Sequence, residues 1–369
     1  MIRRQFLGAV AMAGTSLLTA CNEQNRDEEA GFGDGEGVKN ILTLEDGIYS
    51  SMDLSADGRS ILTATTEEIL LHEPSGESGL IADGNINPNL AIAEDGGHIL
   101  TTQHGTATIY DAEGEIIWER IWQNAQGSET EIADVGTADD FQSVTFGSLN
   151  GLATISIDGD VLWEVTIPAG RIWEIDSSES GEFIIARTEK RDDPNYENGI
   201  HVIEDGEHIW SKSYKVPPLH VGISDSAEIV AVGLDDGRLL VYDLSGELQW
   251  ENPDLGGFFS MSDDGELILT HHVENTVAFN PTGEELWRDS EVGLWWYNLT
   301  NVSNDGRSVA AYEDPAENTY VVKVYSNVGD VVWKETYGGQ NLEVKISADG
   351  TTWLVNKQQE IELYHDHSH

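Results

Sequence analysis

Side chains able to do covalent or metal chemistry are scarce in this 369-residue chain, while charge is abundant. Cys21 is the only cysteine, which excludes an internal disulfide, a thiolate metal cluster and a catalytic thiol in the folded domain. The chain carries 67 Asp+Glu against 19 Lys+Arg, a net charge of -48. Six of those basic residues, Arg171, Arg187, Lys190, Arg191, Lys212 and Lys215, fall in one stretch beside Trp173, Tyr196 and Tyr214. One reading is a contact for an acidic partner, with the aromatic side chains as apolar anchors. The other is ion pairing with the surrounding Asp and Glu. Trp295-Trp296-Tyr297 is a second candidate. Exposed, it would be a stacking platform for sugar or peptide; buried, it would be packing. His365-Asp366-His367-Ser368-His369 offers imidazoles to a transition metal, although a frayed tail holds a metal weakly. His271 and His272 adjoin on a strand and so face opposite ways, a poor chelate. No catalytic residue, metal site or cofactor is assigned.

The excess of carboxylates argues against nucleic-acid binding, which needs a basic face. Acidic residues occur singly along the chain and not in one tail. Such self-repulsion destabilises a compact state in dilute buffer and is screened at about 1 M salt, where the Debye length is roughly 3 Å. The composition resembles that of proteins from extreme halophiles, especially halophilic archaea.

The first 20 residues read as an address. Arg3-Arg4 precedes an uncharged apolar stretch, 6–20, too short to span a bilayer. The paired arginines point to twin-arginine export. Leu18-Thr19-Ala20-Cys21 resembles the lipobox of prokaryotic lipoproteins. That resemblance implies cleavage before Cys21 and a lipid on its sulfur; the plainer alternative makes Cys21 one more small residue of the signal. Residues 21–38 are acidic and glycine-rich, the composition of a flexible tether. The expected organisation is a signal peptide (1–20), a lipidated tether (21–38), one repeat domain (39–364) and a His-rich tail (365–369).

What must position the candidate residues is a repeat of about 40 residues. An apolar strand runs into a Ser-x-Asp-Gly-type turn, as in Ser55-Ala56-Asp57-Gly58, Ser262-Asp263-Asp264-Gly265 and Ser347-Ala348-Asp349-Gly350. A later turn closes on Gly-x-x-x-Trp, as in Gly114…Trp118, Gly159…Trp163, Gly206…Trp210, Gly246…Trp250, Gly283…Trp287 and Gly329…Trp333. The period is that of a four-stranded propeller blade. No sustained 3.6-residue period occurs, so helices should be nearly absent. Eight Ser-x-Asp-Gly-like turns, some degenerate, face about seven closings, the missing one at the C-terminus. The surplus strand Lys39–Leu44 is expected to complete the last blade. The prediction is an all-β, eight-bladed propeller closed by its N-terminal strand, with seven blades as the alternative. The recurring Trp reads as packing between blades and the Asp-Gly pairs as turns, since no calcium-loop spacing follows them.

Segments such as Leu240-Val241-Tyr242-Asp243-Leu244-Ser245-Gly246-Glu247-Leu248-Gln249-Trp250 resemble the repeat of pyrroloquinoline-quinone-like (WD40-like) propellers over nearly the whole mature chain. One branch of that family implies quinone-dependent alcohol dehydrogenases, which use an adjacent cysteine pair that this chain lacks. The other implies non-enzymatic scaffold lipoproteins. The expectation is a monomeric, lipid-anchored binding or scaffold module facing the outside of the cell membrane, with a cell-surface or membrane protein as partner. The alternative is a propeller hydrolase, lyase or quinone-linked oxidoreductase. In either case function belongs on the face where the outer-to-inner connections and the middle-hairpin loops meet.

Overall fold

In the computed structural model the described residues are 38–367, less 45–48, 50, 84–88, 104, 123–130, 139–140, 149–150, 168–170, 191–196, 273–274, 291–299, 315–318, 339–341 and 358. They form 32 strands in eight four-stranded antiparallel sheets, with no helix among them. Seven sheets are consecutive meanders: blades 1 to 7 span 51–83, 90–121, 134–166, 171–214, 218–252, 259–289 and 300–338. Blade 8 takes three strands from 343–366 and its outermost strand, Val38–Leu44, from the other end of the chain. That strand pairs antiparallel with Ile361–Asp366, from Val38 opposite Asp366 to Leu44 opposite Ile361. The propeller and its closure are therefore as the repeat predicts. The last strand runs through Asp366, two residues past the expected end of the repeat domain. Asp366 is buried and takes a 3.0 Å ion pair from the buried Arg307 of blade 7, which fixes the closing blade to its neighbour.

Each part of the repeat has a physical task. In the first turn the serine hydroxyl donates to the aspartate and accepts an N–H five residues on. Ser55 Oγ lies 2.8 Å from Asp57 Oδ1 and 2.9 Å from Ser60 N, and Ser347 repeats this at 2.7 and 3.0 Å. In the second motif the Gly and the Trp belong to different seams. The Trp of each of blades 2 to 6 lies against the turn glycine of the next blade. A Cβ on Gly246 would stand 3.0 Å from Trp210, and one on Gly329 would stand 2.6 Å from Trp287. These glycines also hold φ near +80°, a conformation in which a Cβ is strained. Trp118, Trp210 and Trp250 donate their indole N–H to a carbonyl of the following blade at 2.7 to 3.0 Å. A bulge just after the turn, such as that between Val241 and Tyr242, sets the Trp opposite the right residue. Stacked blades thus bury the faces that one sheet cannot cover alone.

Candidate functional site

The innermost strands line a central channel with a cavity of about 590 Å³. Strand alternation sends the residues two and four places before each turn serine toward it. They include Asp53, Glu174, Asp176, His220, Asn301, Glu343 and Lys345, with Asp134 on blade 3. Glu174 is the hub. One oxygen takes Arg187 Nε at 2.6 Å and the other takes His220 Nδ1, while Arg187 also donates to the Pro218 carbonyl at 3.0 Å. Burial alone would raise the Glu174 pKa, but the His220 and Arg187 charges outweigh it and hold the carboxyl below its usual range. Burial likewise pushes the His220 imidazole down, yet Glu174, with Asp176 adding, brings it above its usual value.

Three of the other channel carboxylates, Asp53, Asp134 and Asp176, act as latches between blades, whereas Glu343 takes Asn356 of its own blade, at 3.5 Å. Asp53 accepts Ile92 N–H at 3.1 Å, Asp134 accepts Ile175 N–H at 2.8 Å, and Asp176 accepts Ile223 N–H at 2.8 Å. Asn301 makes the equivalent bond to Ile346 N–H at 3.0 Å without a charge. Burial in the wall pushes Asp134 up to about 7, with the Glu174 charge adding, and Asp176 up to about 6. Lys345 lies 3.3 Å from Asp53, whose charge raises its pKa. These are perturbed groups in a cleft, the usual mark of acid–base chemistry. Here, however, they tie neighbouring blades together. No three His, Cys, Asp or Glu side chains among the described residues are placed to share a metal ion.

The predicted basic stretch maps to one edge of blade 4, on the face where strands 1 begin and strands 2 and 4 end. It separates into two sets. Arg171 pairs with Glu131 at 2.7 Å and stacks over Trp173, its guanidinium 4.4 Å from the ring. Arg187 belongs to the channel hub. For these two the ion-pair reading holds. Lys190 and Lys215 are exposed and Lys212 half-buried, and none forms an ion pair with a described residue. Lys212 instead lies over two aromatic rings, 5.9 Å from that of Trp210 and 5.4 Å from that of Tyr242. Tyr214, half-buried, donates its hydroxyl to Tyr242 across the blade 4–5 seam at 3.1 Å. Glu197, on the same edge, is taken by Ser213 at 2.6 Å. Arg191, Tyr196, Trp295 and Trp296 lie outside the described residues, as do Arg3, Arg4 and Cys21. The terminal His365 sits in the last strand, its Nδ1 3.0 Å from Thr352 Oγ1.

Sequence reading did not find the latches or the Glu174 hub. A signal was present for some: Asp53, Asp176 and Asn301 each stand two places before the turn serine, a position that must face the channel.

Neither a family model nor a curated protein matches the sequence. Solved structures do match in fold. The C-terminal WD40 domain of Sif2 superposes with a TM-score of 0.65 at 14% identity, covering 90% of this chain and 99% of that one. The Cps50 (Swd1) β-propeller domain of Myceliophteria thermophila gives 0.55 at 10% identity, covering 89% and 99%. At these identities the likeness is one of fold: the chain has a β-propeller fold like that of WD40 domains.

Proposed function

We propose that this protein is a lipid-anchored, extracytoplasmic binding module that captures an acidic protein partner on the blade 4 edge. The observation that carries the reading is local charge. In a chain of net charge -48, Lys190, Lys212 and Lys215 share one edge and have no carboxylate in ion-pair reach among the described residues. Three lysines sharing one edge make a local positive patch in an otherwise acidic surface, which complements an anionic partner. Arg3-Arg4, the Leu18–Cys21 lipobox resemblance and the acidic tether support the membrane location. The composition supports a high-salt setting, and the repeat supports a pyrroloquinoline-quinone-like origin. WD40-like propellers commonly serve as rigid platforms for protein assembly, an analogy of fold. The channel favours the enzyme alternative less, because Asp53, Asp134 and Asp176 accept inter-blade N–H groups and Glu174 is held by Arg187 and His220.

Affinity capture of the full-length lipoprotein from its own membranes in high salt, followed by mass spectrometry, tests this. A partner set lost from a Lys190→Ala, Lys212→Ala, Lys215→Ala variant is expected. The same set captured by the variant would overturn the choice of face.

A further inference from the structure

Three seams of the ring use one set of parts. Tyr242, Tyr325 and Tyr364 occupy the same place on the third strand of blades 5, 7 and 8. Each faces the Trp of the preceding blade, at 5.9 Å from Trp210, 5.0 Å from Trp287 and 4.6 Å from Trp333. In the blade 6–7 seam, Asp289 Oδ2 accepts both Tyr325 Oη at 2.8 Å and Lys323 Nζ at 2.6 Å. In the blade 7–8 seam, Glu362 takes Tyr364 Oη at 2.9 Å and Lys357 Nζ at 3.1 Å. A tyrosine hydroxyl and a lysine ammonium share one carboxylate in both.

The blade 4–5 seam has the tyrosine and the lysine but lacks the carboxylate. Asp289 stands two residues after Trp287; two residues after Trp210 stands Lys212. Glu362 stands two residues before Tyr364; two residues before Tyr242 stands Leu240. The Tyr242 oxygen accepts the Tyr214 hydroxyl, and its own O–H has no acceptor among the described residues. Glu251 acts on Tyr242 through its charge but hydrogen-bonds to neither Tyr242 nor Lys212, and Arg238 is held by Asp236 at 3.0 Å.

We propose that the seam between blades 4 and 5, where Lys212 is half-buried above the buried Tyr242, is a carboxylate-binding site. Its Tyr242 hydroxyl and Lys212 ammonium take an Asp or Glu side chain from an acidic segment of a partner protein, as Tyr325 and Lys323 take Asp289. This rests on the blade 4 edge being a protein-binding surface, and adds what that surface recognises and where. Charge complementarity selects the occupant: a lysine lying over aromatic rings favours an anion, and a hydroxyl with an unengaged proton favours an acceptor.

The test is binding of fluorescent hexaglutamate to the full propeller, with hexaglutamine as control, at the lowest salt that keeps the protein folded. Lys212→Met and Tyr242→Phe should each weaken hexaglutamate about tenfold, the loss of one hydrogen bond to a charged group. Phe279 holds Tyr242's place in blade 6, beside Trp250, so Tyr242→Phe has a folded precedent within the ring. Binding that ignores both variants but falls in Lys190→Ala, Lys215→Ala overturns the seam site and leaves the face. No preference for hexaglutamate over hexaglutamine overturns both.

Discussion

The blade 6–7 and blade 4–5 seams place a Trp, a Tyr and a Lys at one joint, yet one is self-sufficient and the other is open. Between blades 6 and 7, Lys323 is buried and the carboxylate it needs comes from the same joint, Asp289. Between blades 4 and 5, Lys212 keeps partial contact with solvent and no described carboxylate meets it. An ion pair completed inside a seam works for stability. A half-buried lysine and, beneath it, a hydroxyl proton left without an acceptor contribute little to stability and remain available to a partner. The difference rests on two positions, Asp289 against Lys212 and Lys323 against Leu240.

The largest expected effect breaks the closed seam. Lys323→Met leaves Asp289 without its ammonium in a buried place, so unfolding in high salt should show a loss of about 3 kcal/mol. A loss near zero would mean that the closed seam is no more self-reliant than the open one. Next come the glycines that both seams share. Gly329→Ala sets a Cβ 2.6 Å from Trp287 at φ +86°, and Gly246→Ala sets one 3.0 Å from Trp210 at φ +81°. Each should cost about 2 kcal/mol, Gly329 the more. Gly76, with nothing within 4 Å of its Cβ, should cost only its φ of +88°, about 1 kcal/mol. Equal losses at all three would show that turn strain, and not the Trp contact, sets the price.

A smaller effect is read by pH at the latch between blades 3 and 4. Asp134 is raised to about 7, so the folded state binds its proton more tightly than the unfolded chain does. Its contribution is present at low pH and lost as pH rises toward 7. Asp134→Asn keeps an oxygen for Ile175 N–H, as Asn301 does for Ile346. Its stability relative to the parent should rise by about 1 kcal/mol between pH 4 and 8. Buried His72 and His201, both lowered to about 4 chiefly by burial, act in the opposite direction. They stay neutral when folded, so their contribution, common to parent and variant, falls as pH drops from 6.5 toward 4. The smallest effect is Lys212→Met, within about 0.5 kcal/mol of the parent in stability, while changing binding.

The fold was largely legible because its signals are local. A serine two residues before an aspartate makes its turn wherever it stands, and a Gly-x-x-x-Trp spacing fixes a bulge and an aromatic lid together. Ring closure was legible too, from one surplus strand at Lys39–Leu44 and one missing closing. The site was legible only as a stretch of basic residues. Which of them are free depends on residues 13 to 40 places away, Glu174 for Arg187 and Glu131 for Arg171. Nor does the sequence near Tyr242 reveal that it completes a joint begun at Trp210, since the comparison with Tyr325 and Tyr364 appears only once blades are superposed in register.

The most direct measurement is a crystal structure of the propeller with a glutamate-rich peptide bound. The account predicts a peptide carboxylate within hydrogen-bond distance of both Tyr242 Oη and Lys212 Nζ, in the geometry that Asp289 has with Tyr325 and Lys323. A peptide seated elsewhere on the ring, with that seam unchanged, would contradict it.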